Sequence, residues 1–283
     1  MVLDLSYKFY KEEVFNFFKS DEVFIDAIRN QNQVLEYKDL HNLLIKRKNF
    51  LKNSLVNAIL EFGCGTGWLP NSINYHYGKK VKGIDYTLKA IEIAEKISRK
   101  IKTNNIFERT NLFNYKDHKK YDLVISMGCL HHTNDCKAAF NKICNFVKKG
   151  GYVYVGLYHL YSRIPMLNYL RNQAYWYGDE FAHNVFKRMN LDMENPEHNY
   201  SWFRDQVFHP QETQHTLKEV KSWLNELSFE LVSTSINNYK SLKNTNFEKL
   251  YNFEKGLAKV SFEKNRFQHK FFPGFFTICA KNN

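Results

Sequence analysis

The stretch Asn57-Ala-Ile-Leu-Glu-Phe-Gly-Cys-Gly-Thr-Gly-Trp68 decides the fold of this chain. Its apolar run ends in an acid, Glu61, and three glycines then alternate before a helical pattern begins. A strand that runs into a glycine turn lets the backbone approach a ligand closely, because no Cβ intervenes. A second apolar segment ends in Asp85, and an acid at the tip of the next strand is placed to bind ribose hydroxyls. The pattern predicts a nucleoside-shaped pocket on an α/β sheet.

The spacing of Gly63, Gly65 and Gly67 distinguishes between kinds of nucleotide-binding turn. A dinucleotide fingerprint requires a small residue at its last position, which is occupied here by Trp68. A phosphate-binding P-loop requires G-K-[ST] after its glycines, and that sequence does not follow. The pattern E-x-G-x-G-x-G resembles the class I S-adenosylmethionine (SAM) dependent methyltransferases, whose glycine turn passes beneath the methionine and ribose of the cofactor. The alternative is a strand–turn–helix unit that binds no ligand.

Two later segments extend the resemblance. Asn111 follows the third predicted strand, where the family has a polar residue, usually Asp, that meets the adenine. Its amide oxygen can accept from the adenine amino group. The segment from Tyr121 to Thr133 matches the strand whose end borders the methionine. The resemblance therefore implies SAM as cofactor and S-adenosylhomocysteine (SAH) as product, with contacts at Glu61, Gly63, Cys64, Gly65, Gly67, Asp85, Tyr86, Asn111, Leu112 and Met127.

The order of apolar segments predicts the fold class. Strands and helices alternate as β-α-β-α-β-β-α-β over residues 54–157, which implies a parallel sheet covered by helices on both faces. The resemblance implies a Rossmann-like, doubly wound and mostly parallel α/β sheet of seven strands. Residues 1–53, with Val14, Phe17 and Phe18 on one helical face, are expected to form a helical lid. The SAM-binding domain is expected at 54–283, with a helical insertion at about 158–212.

Helix starts and stops are read from capping residues. N-cap residues predict the start of three helices, at Ser20, Thr87 and Thr216. Glu219 completes a capping box with the last of these. A helix over 138–147 is expected to end at Lys148-Lys-Gly-Gly151, where Lys suits the helix dipole and Gly the C-cap. The fifth strand is then expected over 152–157.

Composition and charge narrow the partners and the compartment. The 283 residues carry a net charge of +12, but the lysines are spread along the chain without a recognisable RNA-binding module. A nucleic-acid partner is therefore the less favoured expectation, and a small-molecule acceptor is the favoured one. Five cysteines without a C-x-x-C pair do not form a disulfide framework or zinc motif. Free thiols, early N-terminal charge and the lack of a long apolar run predict a cytoplasmic protein without a membrane span.

The residues expected to act on the acceptor lie at the predicted carboxyl ends of strands, in the insertion or in the stretch that follows it. Methyl transfer requires an in-line nucleophile, excluded water and, for a hydroxyl or protonated amine, a general base. Histidine suits that role near neutral pH, and the candidates are His132, His159 and His209, with His131 as a further one. The residues expected to bind substrate are Tyr158, Tyr161, Arg163, Trp202 and His215. Arg163 would clamp an acidic group. The alternative is that these aromatics form the insertion's own core.

The spacing H-x-x-E-x-x-H at His209, Glu212 and His215 is not taken as a metal site, because Pro210 interrupts a helix there. The sequence thus predicts a SAM-dependent methyltransferase that acts on a small or medium-sized metabolite through an O, N or C acceptor. One alternative is an RNA methyltransferase that uses the basic surface, although no Asn/Asp-Pro-Pro-Tyr motif follows the fourth strand. Another is a SAM-binding partner subunit without catalysis.

Overall fold

The computed structural model describes residues 6, 9–10, 20–45, 56–189 and 196–283. Within them, seven strands form one sheet: β1 (Ile59–Phe62), β2 (Val81–Asp85), β3 (Ile106–Arg109), β4 (Tyr121–Met127), β5 (Val147–Tyr158), β6 (Phe229–Thr234) and β7 (Phe275–Asn282). The strand order is β3-β2-β1-β4-β5-β7-β6. Strands β1 to β5 pair in parallel, and β7 runs antiparallel to both β5 and β6. The predicted mostly parallel, seven-stranded sheet is confirmed.

Helices cover both faces of the sheet. They are α1 (Asp21–Asn30), α2 (Lys38–Leu44), α3 (Trp68–Tyr77), α4 (Leu88–Lys100), α5 (Cys136–Cys144), α6 (Leu160–Tyr177), α7 (Asp179–Met189), α8 (Pro196–Phe208), α9 (Leu217–Glu226) and α10 (Phe247–Phe262). Successive side chains of β4 enter two separate apolar clusters, Val124 in one and Leu123 with Ile125 in the other. This alternation is the period of a strand buried on both faces. The first cluster includes α5 and α9, and the second α2 and α3.

The capping residues behave as expected at two of three helices. The Ser20 side chain accepts from the backbone N–H of Val23 at the start of α1. The Thr216 hydroxyl accepts from the N–H of Glu219 at 3.1 Å at the start of α9. Thr87 occupies the N-cap of α4, but its side chain makes no capping bond. The residues Val14, Phe17 and Phe18 lie outside the described part of the chain.

The predicted end of the fifth helix is wrong. Helix α5 ends at Cys144, and Val147 already pairs with Tyr121 as the first residue of β5. The run Lys148-Lys-Gly-Gly151 therefore lies in the strand, next to an irregularity in its register with β4. The buried Val147 side chain and its ladder partner outweigh the local capping signal, because tertiary packing overrides propensity.

The segment after β5 is helical, as expected. Helices α6, α7 and α8 share an apolar cluster that includes Met166, Leu170, Phe186 and Phe203. Part of the aromatic content of this segment therefore forms its own small core. None of the helices in the described ranges is long and apolar enough to cross a membrane.

Candidate active site

A cavity of about 780 Å³ opens at the carboxyl ends of the central parallel strands. Glu61 is on β1, Asp85 ends β2 and Met127 ends β4, and all three border it. Ligands of such sheets bind at this edge, where the loops that follow neighbouring strands converge. The predicted residues that line the cavity are Glu61, Gly63, Cys64, Gly65, Asp85, Tyr86, Asn111, Leu112, Met127, His132, Tyr158 and Trp202.

The glycine turn requires its glycines for two different reasons. Gly63 and Gly65 adopt φ angles of +73° and +51°, a left-handed conformation that strains any other residue. Gly63 also approaches Cys129 closely, since a Cβ built on it would lie 2.6 Å from the Cys129 sulfur. Gly67 does not border the cavity. It is the N-cap of α3 and packs against Ala94, so its observed role is helix packing.

Two carboxylates meet beside this turn. The Asp85 carboxylate accepts from the backbone N–H of Gly65 at 3.0 Å and of Thr87 at 2.9 Å. Glu61 is 3% exposed, and its Oε2 has no hydrogen-bond partner among the described residues. Burial and the nearby Asp85 raise the pKa of Glu61 well above its usual range. A buried acceptor without a donor fits a ligand that brings hydroxyl or amino groups, as SAM does.

The loops that follow β2 and β3 contribute residues to the cavity wall. Tyr86, Asn111, Leu112 and Phe113 line it after β2 and β3. The Asn111 side-chain oxygen accepts from the Phe113 N–H at 2.9 Å, which fixes the amide at the start of a short 3₁₀ turn. That oxygen retains a second lone pair for another donor.

A buried polar group, which we call the histidine cluster, lies at the opposite end: His132, His209 and Asp205. His132 and Asp205 border the cavity, whereas His209, expected to act on the acceptor, does not. One ring nitrogen of each histidine and one Asp205 oxygen all lie within 4.8 Å of one another. The two rings pack with centroids 3.8 Å apart. Asp205 accepts from the Tyr10 hydroxyl at 2.7 Å and from the Gln206 amide at 2.9 Å. Within the described chain, both carboxylate oxygens of Asp205 therefore have donors.

Backbone contacts to Gln211 assign the protons of both histidines. Nδ1 of His132 lies 2.9 Å from the Gln211 carbonyl, which only accepts, so this nitrogen carries the proton and Nε2 the lone pair. The Gln211 N–H donates to Nδ1 of His209 at 3.1 Å, so neutral His209 carries its proton on Nε2. Burial lowers the pKa of His132 to about 4 and of His209 to about 3. Both rings are therefore neutral near pH 7.

Arg163 does not reach the cavity, contrary to the expected substrate clamp. It is fully buried, and its guanidinium donates to Glu212, Gln206 and Pro273. Its Cζ atom also lies 3.7 Å from the Tyr158 ring centroid. Every nitrogen of the guanidinium is engaged, so the side chain has no donor directed at a substrate. It instead supports Tyr158, which does line the cavity.

His159, Tyr161 and His215 also lie away from the cavity lining. The buried His159 bonds Ser162 through Nδ1 at 2.8 Å and Glu254 through Nε2 at 3.2 Å. His215 contacts Thr213 and Glu219, and Tyr161 packs near His159. These contacts join α6 to α9 and α10. They account for the polar residues in this part of the sequence without any contact to substrate.

The sequence predicted an N-terminal lid and a role for Trp202 on α8, but it singled out none of Ser6, Tyr10, Asp205 and Gln206. Tyr10, Asp205 and Gln206 line the cavity, and the Ser6 hydroxyl donates to the His132 carbonyl at 2.6 Å. The Phe9 ring lies 4.9 Å from that of His209. An acid and an amide inside an aromatic helix were the available signal for Asp205 and Gln206. Nothing local signals Tyr10, whose partner lies 195 residues away in the chain.

Comparisons with known proteins agree with this arrangement. The model of a methyltransferase domain family matches residues 34–234. A ubiquinone biosynthesis O-methyltransferase from Pelagibacter ubique is 26% identical over 134 residues, covering 42% of this chain and 55% of the relative. Putative methyltransferase 235L from Invertebrate iridescent virus 6 is 27% identical over 137 residues, covering 47% of this chain and 50% of the relative. The matched region thus spans about half the length of these curated relatives.

Solved structures share the fold. PKMT2 from Rickettsia typhi superposes with a TM-score of 0.58 at 14% identity, over 82% of this chain and 49% of that chain. The plantazolicin methyltransferase BpumL, solved in complex with SAH, gives a TM-score of 0.52 at 14% identity, over 99% of this chain and 96% of that chain. The family match covers well over half of the chain, and the sheet order agrees with it. This chain belongs to the class I SAM-dependent methyltransferase family.

Proposed function

We infer that this protein transfers a methyl group from SAM to a small or medium-sized molecule. One observation carries the inference: a single cavity is bordered by the glycine turn with Glu61 and Asp85 at one end, and by His132, Tyr158 and Trp202 at the other. Cofactor and acceptor can therefore meet without leaving the protein. Relatives that carry the name ubiquinone biosynthesis O-methyltransferase support a small-molecule acceptor.

The residues at the cofactor end bind and orient SAM. Bound SAM supplies a methyl group on a sulfonium, already activated for transfer. Gly63 and Gly65 let the backbone approach it, and Asp85 offers carboxylate lone pairs to ribose hydroxyls. Glu61 offers its unpartnered oxygen to a further donor.

The residues at the acceptor end exclude water and fix the nucleophile. Aromatic rings of Tyr10, Tyr158, Trp202 and Phe275 border this end. Aromatic walls of this kind bind the apolar part of an acceptor molecule. They also exclude water, which strengthens every charge interaction inside the site. His132 is placed to accept a proton at Nε2, since Nδ1 already carries one and donates it to the Gln211 carbonyl.

The cofactor assignment is tested by calorimetry. We expect SAM and SAH to bind with micromolar-range affinity and NAD not to bind, because Trp68 occupies the position that a dinucleotide turn keeps small. Binding of NAD, or no SAM binding by the folded protein, would contradict the proposed function.

Replacing Asp85 by Ala should weaken SAM binding by about 1–3 kcal/mol, because ribose donors lose their acceptor in a partly buried site. The measurement is titration calorimetry, with thermal unfolding recorded without SAM to detect damage to the Gly65 and Thr87 contacts. Glu108→Gln is the matched control, since it removes an acid on the neighbouring strand β3 that does not border the cavity. Equal SAM affinity in Asp85→Ala and wild type would place the ribose elsewhere.

The basic charge gives a separate expectation. With a net charge of +12 spread along the chain, RNA should bind weakly and without sequence preference. Affinity should fall steeply with added salt as counterions are released. Fluorescence anisotropy with two unrelated RNA sequences over a salt series measures both properties. Tight, sequence-dependent binding at about 0.15 M salt would favour an RNA substrate instead.

A further inference from the structure

The histidine cluster presents one free lone pair to the cavity. Among the described residues, no hydrogen bond reaches Nε2 of His132, whereas both oxygens of Asp205 and Nδ1 of His209 already accept hydrogen bonds. Nε2 of His209 also lacks a partner among the described residues, but it carries a proton and His209 does not border the cavity. His132 does border it, so Nε2 of His132 is the acceptor of the cluster that remains for a ligand there.

The His132 ring is held in one orientation. Its Nδ1–H is bound to Gln211, its backbone carbonyl accepts from Ser6, and its face packs on His209. His209 is bound through Nδ1 to the same Gln211. One residue therefore anchors both rings and fixes both tautomers, and a fixed tautomer is what a general base requires.

We propose that the acceptor is a phenolic hydroxyl, whose proton passes to Nε2 of His132 as its oxygen is methylated. The proposal rests on the proposed function and deepens it. The acceptor oxygen forms a bond to the methyl carbon, and the electron pair of the broken carbon–sulfur bond stays on sulfur. The hydroxyl proton moves to Nε2, and His132 later releases it to solvent. No oxidant, reductant or metal ion takes part.

The chemistry of the acceptor atom distinguishes oxygen from nitrogen. A hydroxyl keeps a lone pair while it donates its proton to Nε2, and that proton becomes strongly acidic only as the new bond forms. An ammonium has no lone pair and must lose a proton before attack, which requires a base whose pKa is near its own. Burial holds the pKa of His132 near 4, too low to deprotonate an amine beforehand but sufficient for a hydroxyl in the act of methylation.

The charges around His132 support the same conclusion. The groups that face it are His131, His209, Asp205, Arg163, Glu212, Tyr10 and Tyr158. Of the acids among them, Glu212 is paired with the Arg163 guanidinium, and Asp205 accepts from the neutral Tyr10 hydroxyl and Gln206 amide. Among the described residues, each oxygen of these two carboxylates therefore already has a donor, which an ammonium would have to displace. The aromatic rings around the acceptor end suit the flat body of a phenol.

The nitrogen and oxygen atoms of the cluster lie close enough together to surround a metal ion. The bond from the Gln211 N–H to Nδ1 of His209 argues against metal binding. It leaves the proton of neutral His209 on Nε2, and a metal requires a lone pair there. A metal-dependent reaction is therefore a distinct outcome of the test.

The test compares compounds that differ only in the acceptor group. The probes are 4-propylphenol and 4-phenylphenol, with the benzylamines and benzoic acids that carry the same 4-substituents, incubated with SAM and analysed by mass spectrometry. We expect methyl ethers from the phenols and no product from the other two classes. Methylated amines or esters, or no ether from any phenol, would overturn the proposal. Failure of SAM itself to bind would instead overturn the proposed function.

His132→Gln should lower turnover of the phenols about 10²- to 10⁴-fold, the usual contribution of a general base, while SAM affinity stays unchanged. His118→Gln, at an exposed histidine, is the matched control. A readout that does not depend on turnover is nitrogen NMR of labelled histidines in the complex with SAH. Nε2 of His132 should be unprotonated at pH 7 and should shift when a phenol binds. A protonated Nε2, or turnover that EDTA abolishes and zinc restores, would overturn the proposal.

Discussion

Replacing Arg163 by Met should destabilise the protein by about 3–5 kcal/mol, although Arg163 contacts neither of the expected ligands. The substitution leaves the Glu212 carboxylate buried without its partner, along with the Gln206 and Pro273 oxygens that the guanidinium binds. An uncompensated buried charge costs far more than the net contribution of an intact pair. Urea unfolding with and without SAM measures the loss.

Two further variants separate charge from packing. Adding Glu212→Gln to Arg163→Met removes the stranded charge, so the double variant should be more stable than the sum of the single losses predicts. Lys137→Met breaks the exposed pair with Glu226 and is expected to cost no more than about 1 kcal/mol. A loss in Arg163→Met as small as that of Lys137→Met would mean that the buried pair does not hold α6 against the loop after α8.

The same pair predicts a dependence on pH. Burial raises the pKa of Glu212, but the hydrogen bonds and charge of Arg163 outweigh it, and the folded pKa lies below the usual value. A depressed carboxylate pKa contributes stability that is present above the unfolded pKa and is lost as pH falls towards the folded pKa. Wild type should therefore lose stability below about pH 4.5, the range in which free glutamate protonates. The double variant Arg163→Met/Glu212→Gln should lose less stability than wild type over the same pH range.

The central fold and the cofactor end of the cavity could be predicted because their signals are local. The turn over 63–67 needs left-handed glycines, and Asp85 ends the next strand, so a few consecutive residues specify each feature. The fold and the family are confirmed, whereas the roles of individual site residues stay predictions. The error at Lys148 has a physical cause: Val147 is drawn into the sheet by its ladder partner, which no window of local sequence contains.

The acceptor end could be predicted only in outline, because it is assembled from distant segments. Tyr10 meets Asp205 across 195 residues, and His132 meets Gln211 across 79. Histidines and an arginine in the insertion signal polar chemistry, but pattern alone cannot separate a cavity residue from one that joins helices. Arg163 illustrates this, since its fork shape suits a buried carboxylate as well as a substrate. Burial, which depends on the whole fold, decides between the two.

Gly63→Ala should destabilise the protein by about 2–5 kcal/mol and should also abolish SAM binding at micromolar concentrations. A left-handed conformation costs a residue with a Cβ about 1–2 kcal/mol, and forcing an extra methyl into a packed site costs about 1–3 kcal/mol more. Both penalties apply, because φ is +73° and the new Cβ would lie 2.6 Å from the Cys129 sulfur. Denaturant unfolding gives the first quantity and calorimetry the second.

Gly65→Ala is the matched control for Gly63→Ala, because position 65 has a φ of +51° but nothing within 4 Å of an added Cβ. It should cost only the conformational part, about 1–2 kcal/mol. Cys129→Gly removes the atoms that an alanine at 63 would meet, so the double variant should recover the steric part and leave the conformational part. Equal losses at 63 and 65 would show that Cys129 yields without cost.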